Sequence, residues 1–295
     1  MCQKKHFFLR LLNKYGLLKK INFYKKITVK NRKVIIPNIL GMAFYNVTEP
    51  WMSTLIEKIF KLRSGAFIDV GVNLGQTLIN LKIDHFDSAY YGFEPNPICY
   101  LYAKELIRVN KFPNCIIYPI GLSNKDEVVT LFLNSGSDAA GSLIEGFRDP
   151  AFYSTSHFVP VFKGDDLLRK LDLKSVSVIK IDVEGGELEV IQGLKNTIME
   201  CKPYIICEVL PIFEETTPVG SFRKKRQTIL ESEIRENGYI DLFNKFAIFL
   251  ERQIINLYIA SRGASQIFDI RRSYKSCQGY PHGPTKDRCG QGVSS

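Results

Sequence analysis

Five acids stand at or near the ends of apolar, strand-like runs in this 295-residue chain: Asp69, Glu94, Asp182, Glu184 and Glu208. The first belongs to FIDVGVNLGQT, residues 67–77, where two glycines four apart follow an apolar run. A dinucleotide site would ask for Gly-x-Gly-x-x-Gly, with a pyrophosphate resting on the following helix N-terminus. Asn73 stands in place of the second glycine and Gln76 follows Gly75, so that reading fits badly. Glu94 closes the next apolar run, and a carboxylate there can accept both hydrogen bonds of a ribose 2′,3′-diol. An acid at the first turn can face an ammonium group, and no Lys or Arg in the turn offers to hold phosphate. Ribose, ammonium and no diphosphate together describe S-adenosyl-L-methionine. The plainer alternative makes Gly71 and Gly75 ordinary tight-turn glycines and Glu94 a helix-start acid.

Methyl transfer from a sulfonium is an in-line displacement, so a protein must align acceptor and donor and exclude water. A hydroxyl acceptor also profits from a base, because it loses its proton as the new bond forms. Asp182 and Glu184 lie two apart after SVIKI, and an extended backbone would point both the same way. Glu208 ends the next run, so three acids are expected along one rim of an acceptor pocket: Asp182 nearest the methyl, Glu184 shaping the acceptor site. Glu208 serves equally well as a backbone cap. His157, in a Ser/Gly-rich stretch over 134–158, is a further candidate base, and that stretch has the make-up of a lid. No His pair accompanies the acids, so no metal site is assigned.

The elements that must hold these residues are legible as alternation. Strand-like runs fall at 66–70, 89–93, 115–119, 177–181 and 204–208, with helical stretches between several of them. Asn96 can cap a helix that begins at Pro97, which has no N–H to waste, and Ile98, Leu101, Tyr102, Leu106 and Val109 keep the helical period. Strand, helix, strand repeated in this way implies a parallel sheet covered on both faces. VVTLFL and VPVF add strands around the Ser/Gly-rich stretch, a basic helix is expected over 221–236, and GYIDLF, AIFLE and INLYIA read as closing strands.

Three blocks carry a family likeness: residues 67–77, FEPNP at 93–97 and IKIDVEGGELE at 179–189. With them the chain resembles the FkbM-type S-adenosylmethionine-dependent methyltransferases over roughly 60–210, and more loosely to 260. The resemblance implies a Rossmann-like, seven-stranded, mostly parallel sheet with a final antiparallel strand, the class I methyltransferase fold. It implies that Asp69, Gly71, Asn73, Gly75, Gln76 and Thr77 cradle the methionine part and that Glu94 holds the ribose. Gly121 to Ser123 would border the adenine, and Asp182 would adjoin the cofactor. Two positions depart from the family pattern: Gly186 stands where a larger residue is common, and Lys163-Gly164-Asp165-Asp166 replaces a Thr-Leu-Asp lead-in. The acceptor class it implies is a hydroxyl of a sugar, glycan or glycolipid.

Charge and cysteine content narrow the rest. The net charge is +10, yet residues 1–48 hold eleven Lys/Arg and no Asp or Glu, so the remainder sums to about −1. A basic extension over 1–48 is therefore separated from a methyltransferase domain over 49–270 and a glycine-rich tail over 271–295 expected to lack order. Phe8, Leu11, Leu12, Tyr15 and Leu18 could form one stripe of a helix within residues 4–21 lying on the inner face of a membrane. Packing of that helix and a hairpin on the domain is the alternative. Seven cysteines without Cys-x-x-Cys pairing suggest reduced thiols and a cytoplasmic protein. Nucleic acid is disfavoured: Asp182-Val-Glu-Gly replaces the Asn/Asp-Pro-Pro-aromatic motif of base-amine enzymes, no Pro-Cys pair occurs, and an acidic rim repels phosphates. The competing readings are a nucleotide-dependent oxidoreductase and a non-catalytic cofactor-binding, membrane-docking module; oligomeric state is not indicated.

Overall fold

The computed structural model describes residues 22–39, 42–43, 50–134, 141–212, 214–241 and 246–251. The helix expected within 4–21, the run INLYIA and the 271–295 tail lie outside the described residues. The alternating middle of the chain folds as an α/β unit around a mostly parallel sheet. Its strands are β4 (Ala66–Val70), β5 (Tyr90–Phe93), β6 (Cys115–Tyr118), β10 (Val176–Ile181), β11 (Tyr204–Glu208), β12 (Tyr239–Asp241) and β13 (Phe246–Glu251). The spatial order is β12-β13-β11-β10-β4-β5-β6. Five strands, not seven, form the parallel ladder. The two closing ones attach by antiparallel pairing, β13 to β11 and β12 to β13.

Burial explains why β4 and β10 read as mainly apolar runs, interrupted only by Asp69, Ser177 and Lys180: every residue of both is buried, as strands covered on two faces must be. Alternation sorts their side chains. Phe67 of β4, Val178 of β10 and Ile206 of β11 face one core with α1 (Pro50–Leu62), α2 (Gln76–Asp84) and α3 (Pro97–Asn110). Ile68, Val70, Ile179, Ile181, Ile205 and Cys207 face the other core, with α5 (Glu187–Gly193), α6 (Lys195–Cys201) and α7 (Pro218–Glu236). A shorter helix, α4 (Gly164–Lys170), precedes β10. α3 begins as its sequence dictates: the Asn96 side chain accepts from the Ile98 N–H at 3.0 Å, with Pro97 in the first turn.

Two smaller sheets flank this body. β1 (Phe23–Val29) and β2 (Arg32–Ile39) form a hairpin, with the short β3 (Met42–Ala43) beside β2. The hairpin is fastened to α3. Asn110 accepts from the Ile35 N–H and donates to the Ile35 carbonyl, both at 2.7 Å, and the Tyr102 hydroxyl donates to the Pro37 carbonyl. Val34 and Ile36 join the core beneath. The pause in the alternation is filled by β7 (Gly121–Ser123), β8 (Glu127–Leu133) and β9 (Thr155–Lys163), ordered β7-β9-β8, with Leu131, Leu133 and Val159 as their buried face. Among the described residues no helix is long and apolar enough to cross a membrane.

Candidate functional site

The carboxyl ends of β4, β5 and β10 open onto one cleft of about 610 Å³, counting its mouth to solvent. Parallel sheets bind ligands at this edge because the strand ends and helix N-termini converge there. Gly71, Asn73, Glu94, Asp182 and Glu184 all line it, joined by Cys99, Gly121 and the β8 side chains Leu131 and Leu133.

The glycine turn is built by backbone demand. Gly71 has φ +86°, and a Cβ there would lie 1.9 Å from the Asp182 carbonyl oxygen. Only a residue without a side chain lets the β4 and β10 loops touch. Asn73 also adopts positive φ, at 50°, which asparagine tolerates better than most residues. Gly75, at φ +85°, starts α2, and a Cβ would meet Leu106 at 2.8 Å. Gly75 therefore packs α2 on α3, away from the cleft wall.

Glu94 is 7% exposed. Its Oε2 accepts from the Asn73 N–H at 2.7 Å and its Oε1 from the Asn96 N–H at 2.8 Å. Burial nevertheless dominates, pushing the carboxyl up to about 7 against the pull of those two amides. Each oxygen retains a second acceptor site, so the side chain can take two further donors from the cleft.

Asp69 has a different position from the expected one. It has no exposure and is absent from the cleft wall. Its Oδ2 accepts from the Tyr90 hydroxyl at 2.6 Å, and its Oδ1 lies 3.4 Å from the Lys180 ammonium. The ammonium it faces is thus the protein's own. Lys180 also donates to the Gly71 carbonyl at 3.0 Å and to Asp182 Oδ2 at 3.2 Å. One buried lysine ties the glycine turn to the Asp182 loop from below. Burial raises the Asp69 carboxyl, with Lys180 opposing it.

Asp182 and Glu184 share the cleft, but not by strand alternation. β10 ends at Ile181, and Glu184 sits at φ 51° in a tight turn. That conformation is costly for a residue with a side chain, and the surroundings hold it. Arg148 pairs with Glu184 Oε2 at 2.5 Å, the Ser142 hydroxyl donates to the Glu184 carbonyl at 2.7 Å, and Arg226 donates to the Gly185 carbonyl at 2.8 Å. Gly185 is pressed on Phe147, where a Cβ would come within 2.4 Å of the ring. Gly186 is not so constrained: its φ is negative and a Cβ would meet only Val183, at 3.3 Å. Burial raises the Glu184 carboxyl, and Arg148 pulls it down.

Several expected residues fall elsewhere. Glu208 ends β11 half-buried but outside the cleft wall, so the acid rim consists of Asp182 and Glu184. Gln76 and Thr77 lie in the first turn of α2, and Ser123 is buried at the end of β7 beneath α5, where a Cβ on Gly193 would strike its carbonyl oxygen at 1.9 Å. His157 is exposed on β9. Sequence reasoning missed Lys180, Arg148 and Glu187. The last is a buried acid accepting from the Gly185 N–H at 2.9 Å, and burial pushes it up to about 7. Lys180 had a signal: a lysine inside an apolar parallel strand needs a buried counter-charge. Among the described residues no group of three His, Cys, Asp or Glu side chains converges as a metal site would.

Comparison with known proteins gives a family match: the profile of the "Methyltransferase FkbM domain" covers residues 69–240. No curated protein sequence matches the chain. Among solved structures, the methyltransferase FkbM from Methylobacillus flagellatus KT aligns with 17% identity and a TM-score of 0.42 over 63% of this chain. The chain spans 43% of the length of that neighbour. A putative caffeoyl-CoA O-methyltransferase from Staphylococcus aureus aligns with 14% identity and a TM-score of 0.41, covering 68% of this chain and 78% of the other. The precorrin-6y C5,15-methyltransferase from Geobacter metallireducens GS-15 aligns with 11% identity and a TM-score of 0.36, over 64% and 71%.

Proposed function

The chain belongs to the FkbM methyltransferase family, whose cofactor is S-adenosyl-L-methionine, and from that premise we propose O-methylation of a hydroxyl on a sugar, glycan or glycolipid. The observation that supports the cofactor part of this reading best is Glu94, while the acceptor class follows from the family likeness. Its carboxylate is fixed by two backbone amides, faces the cleft, and keeps one acceptor site on each oxygen, which suits a vicinal diol. The rest of the wall fits the same cofactor. Among the described residues no Lys or Arg lines the cleft, so none of them would clamp a diphosphate there, and the bare backbone at Gly71 allows close approach.

In this reading Gly71, Asn73, Glu94 and Asp182 hold the cofactor, which supplies an electrophilic methyl group when bound. Lys180 keeps the Gly71 and Asp182 loops in register beneath it. Asp182 orients, and Glu184 takes the proton of the acceptor hydroxyl. Arg148 occupies Oε2 of Glu184, so the proton goes to Oε1. Burial favours the neutral form of that carboxyl, which strengthens it as a base near neutral pH. Leu131, Leu133 and Leu143 exclude water from the same space.

The acceptor is a small molecule or glycan, not nucleic acid, and the enzyme works in the cytoplasm, with residues 4–21 as its contact to a membrane face. Thermal-shift measurements test the cofactor assignment. S-adenosylhomocysteine at a hundred times its dissociation constant should add about 2.7 kcal/mol of stability. Stabilisation by NAD in its place would favour the oxidoreductase reading and refute this one.

A further inference from the structure

The segment 141–148 runs past more than the cleft. Gly141 and Leu143 line the cleft, whereas Glu145, Gly146 and Arg148 line a second, open groove on the far side of β8. β8 divides the two cavities by its alternation: Leu131 and Leu133 face the cleft, and Phe132 faces the groove. Counted with its mouth to solvent as the cleft was, the groove encloses about 700 Å³. Its wall combines two aromatic rings, Phe132 and Tyr153, with centroids 5.4 Å apart and planes tilted by 37°. Glu145, Arg148, Thr155 and Ser156 complete its lining with polar residues.

We propose that this groove is a saccharide subsite, which seats the acceptor chain beside the methyl-transfer cleft. The inference rests on the methyltransferase reading above and names its acceptor as a neutral oligosaccharide. The wall has the two faces a pyranose needs: aromatic surface for its C–H face and planar, fork-like polar groups for its hydroxyls. The charges favour a neutral sugar. Arg148 is already neutralised by Glu184, while Glu145 adds a carboxylate that opposes an anionic ligand. The Arg148 guanidinium reaches Glu184 at 2.5 Å, so the occupied groove adjoins the acid at the cleft wall.

The test titrates the full chain, loaded with S-adenosylhomocysteine, with maltotriose, cellotriose and chitotriose, and with tri-galacturonate as the anionic comparator. Binding is read by saturation-transfer NMR and by amide shifts. A neutral trisaccharide should shift residues around 132 and 145–156. Phe132→Ala and Glu145→Gln should each weaken it at least tenfold while leaving S-adenosylhomocysteine affinity within twofold. Thermal melts of both variants identify any loss of folding, and Thr155→Trp, which fills an exposed part of the groove, gives a second route to the same answer. Shifts confined to the cleft, preference for tri-galacturonate, or no saccharide binding by a chain that holds S-adenosylhomocysteine would overturn the subsite. Failure to hold S-adenosylhomocysteine would instead remove the methyltransferase reading on which the subsite stands.

Discussion

Lys180→Met is the substitution with the most to teach, because it removes a charge and leaves the shape. The variant strips the ammonium from 3.4 Å of Asp69, from 3.2 Å of Asp182 and from the Gly71 carbonyl. Asp182 is partly open to water and can rehydrate. Asp69 has no exposure and keeps only the Tyr90 hydroxyl. Breaking a buried pair by removing one partner costs about 3–5 kcal/mol. For a domain of this size, at about 2–4 °C per kcal/mol, the melting temperature should fall by roughly 6–20 °C. The sign with pH follows from the same carboxyl. Burial already raises Asp69, and loss of Lys180 removes the chief opposing influence. The folded state then binds a proton that the unfolded state releases above about pH 4. Stability is lost by about 1.4 kcal/mol per pH unit between that point and the folded value, and the loss is complete above it. Urea unfolding at pH 5 and pH 8 reads the difference: the deficit of Lys180→Met against the parent should be smaller at pH 5. Asp69→Asn in the Lys180→Met background should recover at least half of the pH 8 deficit, because no buried charge remains. A melting temperature within about 1 °C of the parent, or a deficit equal at both pH values, would refute the account of Lys180 as a buried counter-charge.

Other substitutions probe the cleft more locally. Gly71→Ala drives a methyl into the Asp182 carbonyl, and should cost about 1–3 kcal/mol and abolish S-adenosylhomocysteine binding by calorimetry, whereas Gly186→Ala should stay within about 1 kcal/mol of the parent. Glu94→Gln sets a side-chain NH₂ against one of two backbone N–H donors; calorimetry should show S-adenosylhomocysteine affinity lowered at least tenfold, by about 1.4 kcal/mol or more. Glu94 and Glu187 both titrate at about 7 when folded, against about 4.3 unfolded, so each binds its proton more tightly in the native state. Stability should fall as pH rises from about 4.3 to about 7 and then level off, and a urea series on Glu187→Gln should show a shallower fall. Glu105, held down to about 2 by Arg108, acts in the opposite sense but only below about pH 4.

The first turn of the cleft was legible because residue type alone constrains it. Two glycines, an asparagine and a strand-end acid allow few backbone shapes, and the spacing places them at one sheet edge. The cap of α3 was legible for the same reason, as Asn96-Pro97 has few other uses. Pairings across the fold were not. Lys180 meets Gly71 across 109 residues, and Arg148 meets Glu184 across 36, distances at which a single sequence carries no register. Glu208 shows the limit of strand-end reasoning, which fixes height on the sheet but not which wall of the cleft a side chain joins. Glu184 shows the limit of alternation, since the strand stops three residues earlier and a left-handed turn sets its direction.

The hairpin on α3 bears on how this protein should be prepared for enzymology. Trimming the gene to the stretch that matches the family, 69–240, would discard Ile35 and Pro37, the partners of Asn110 and Tyr102. The helix so unclasped is the one whose opening turn borders the ligand cleft, at Asn96 and Cys99. A shortened protein that bound its nucleoside weakly would then report on a missing splint and not on the chemistry of the cleft.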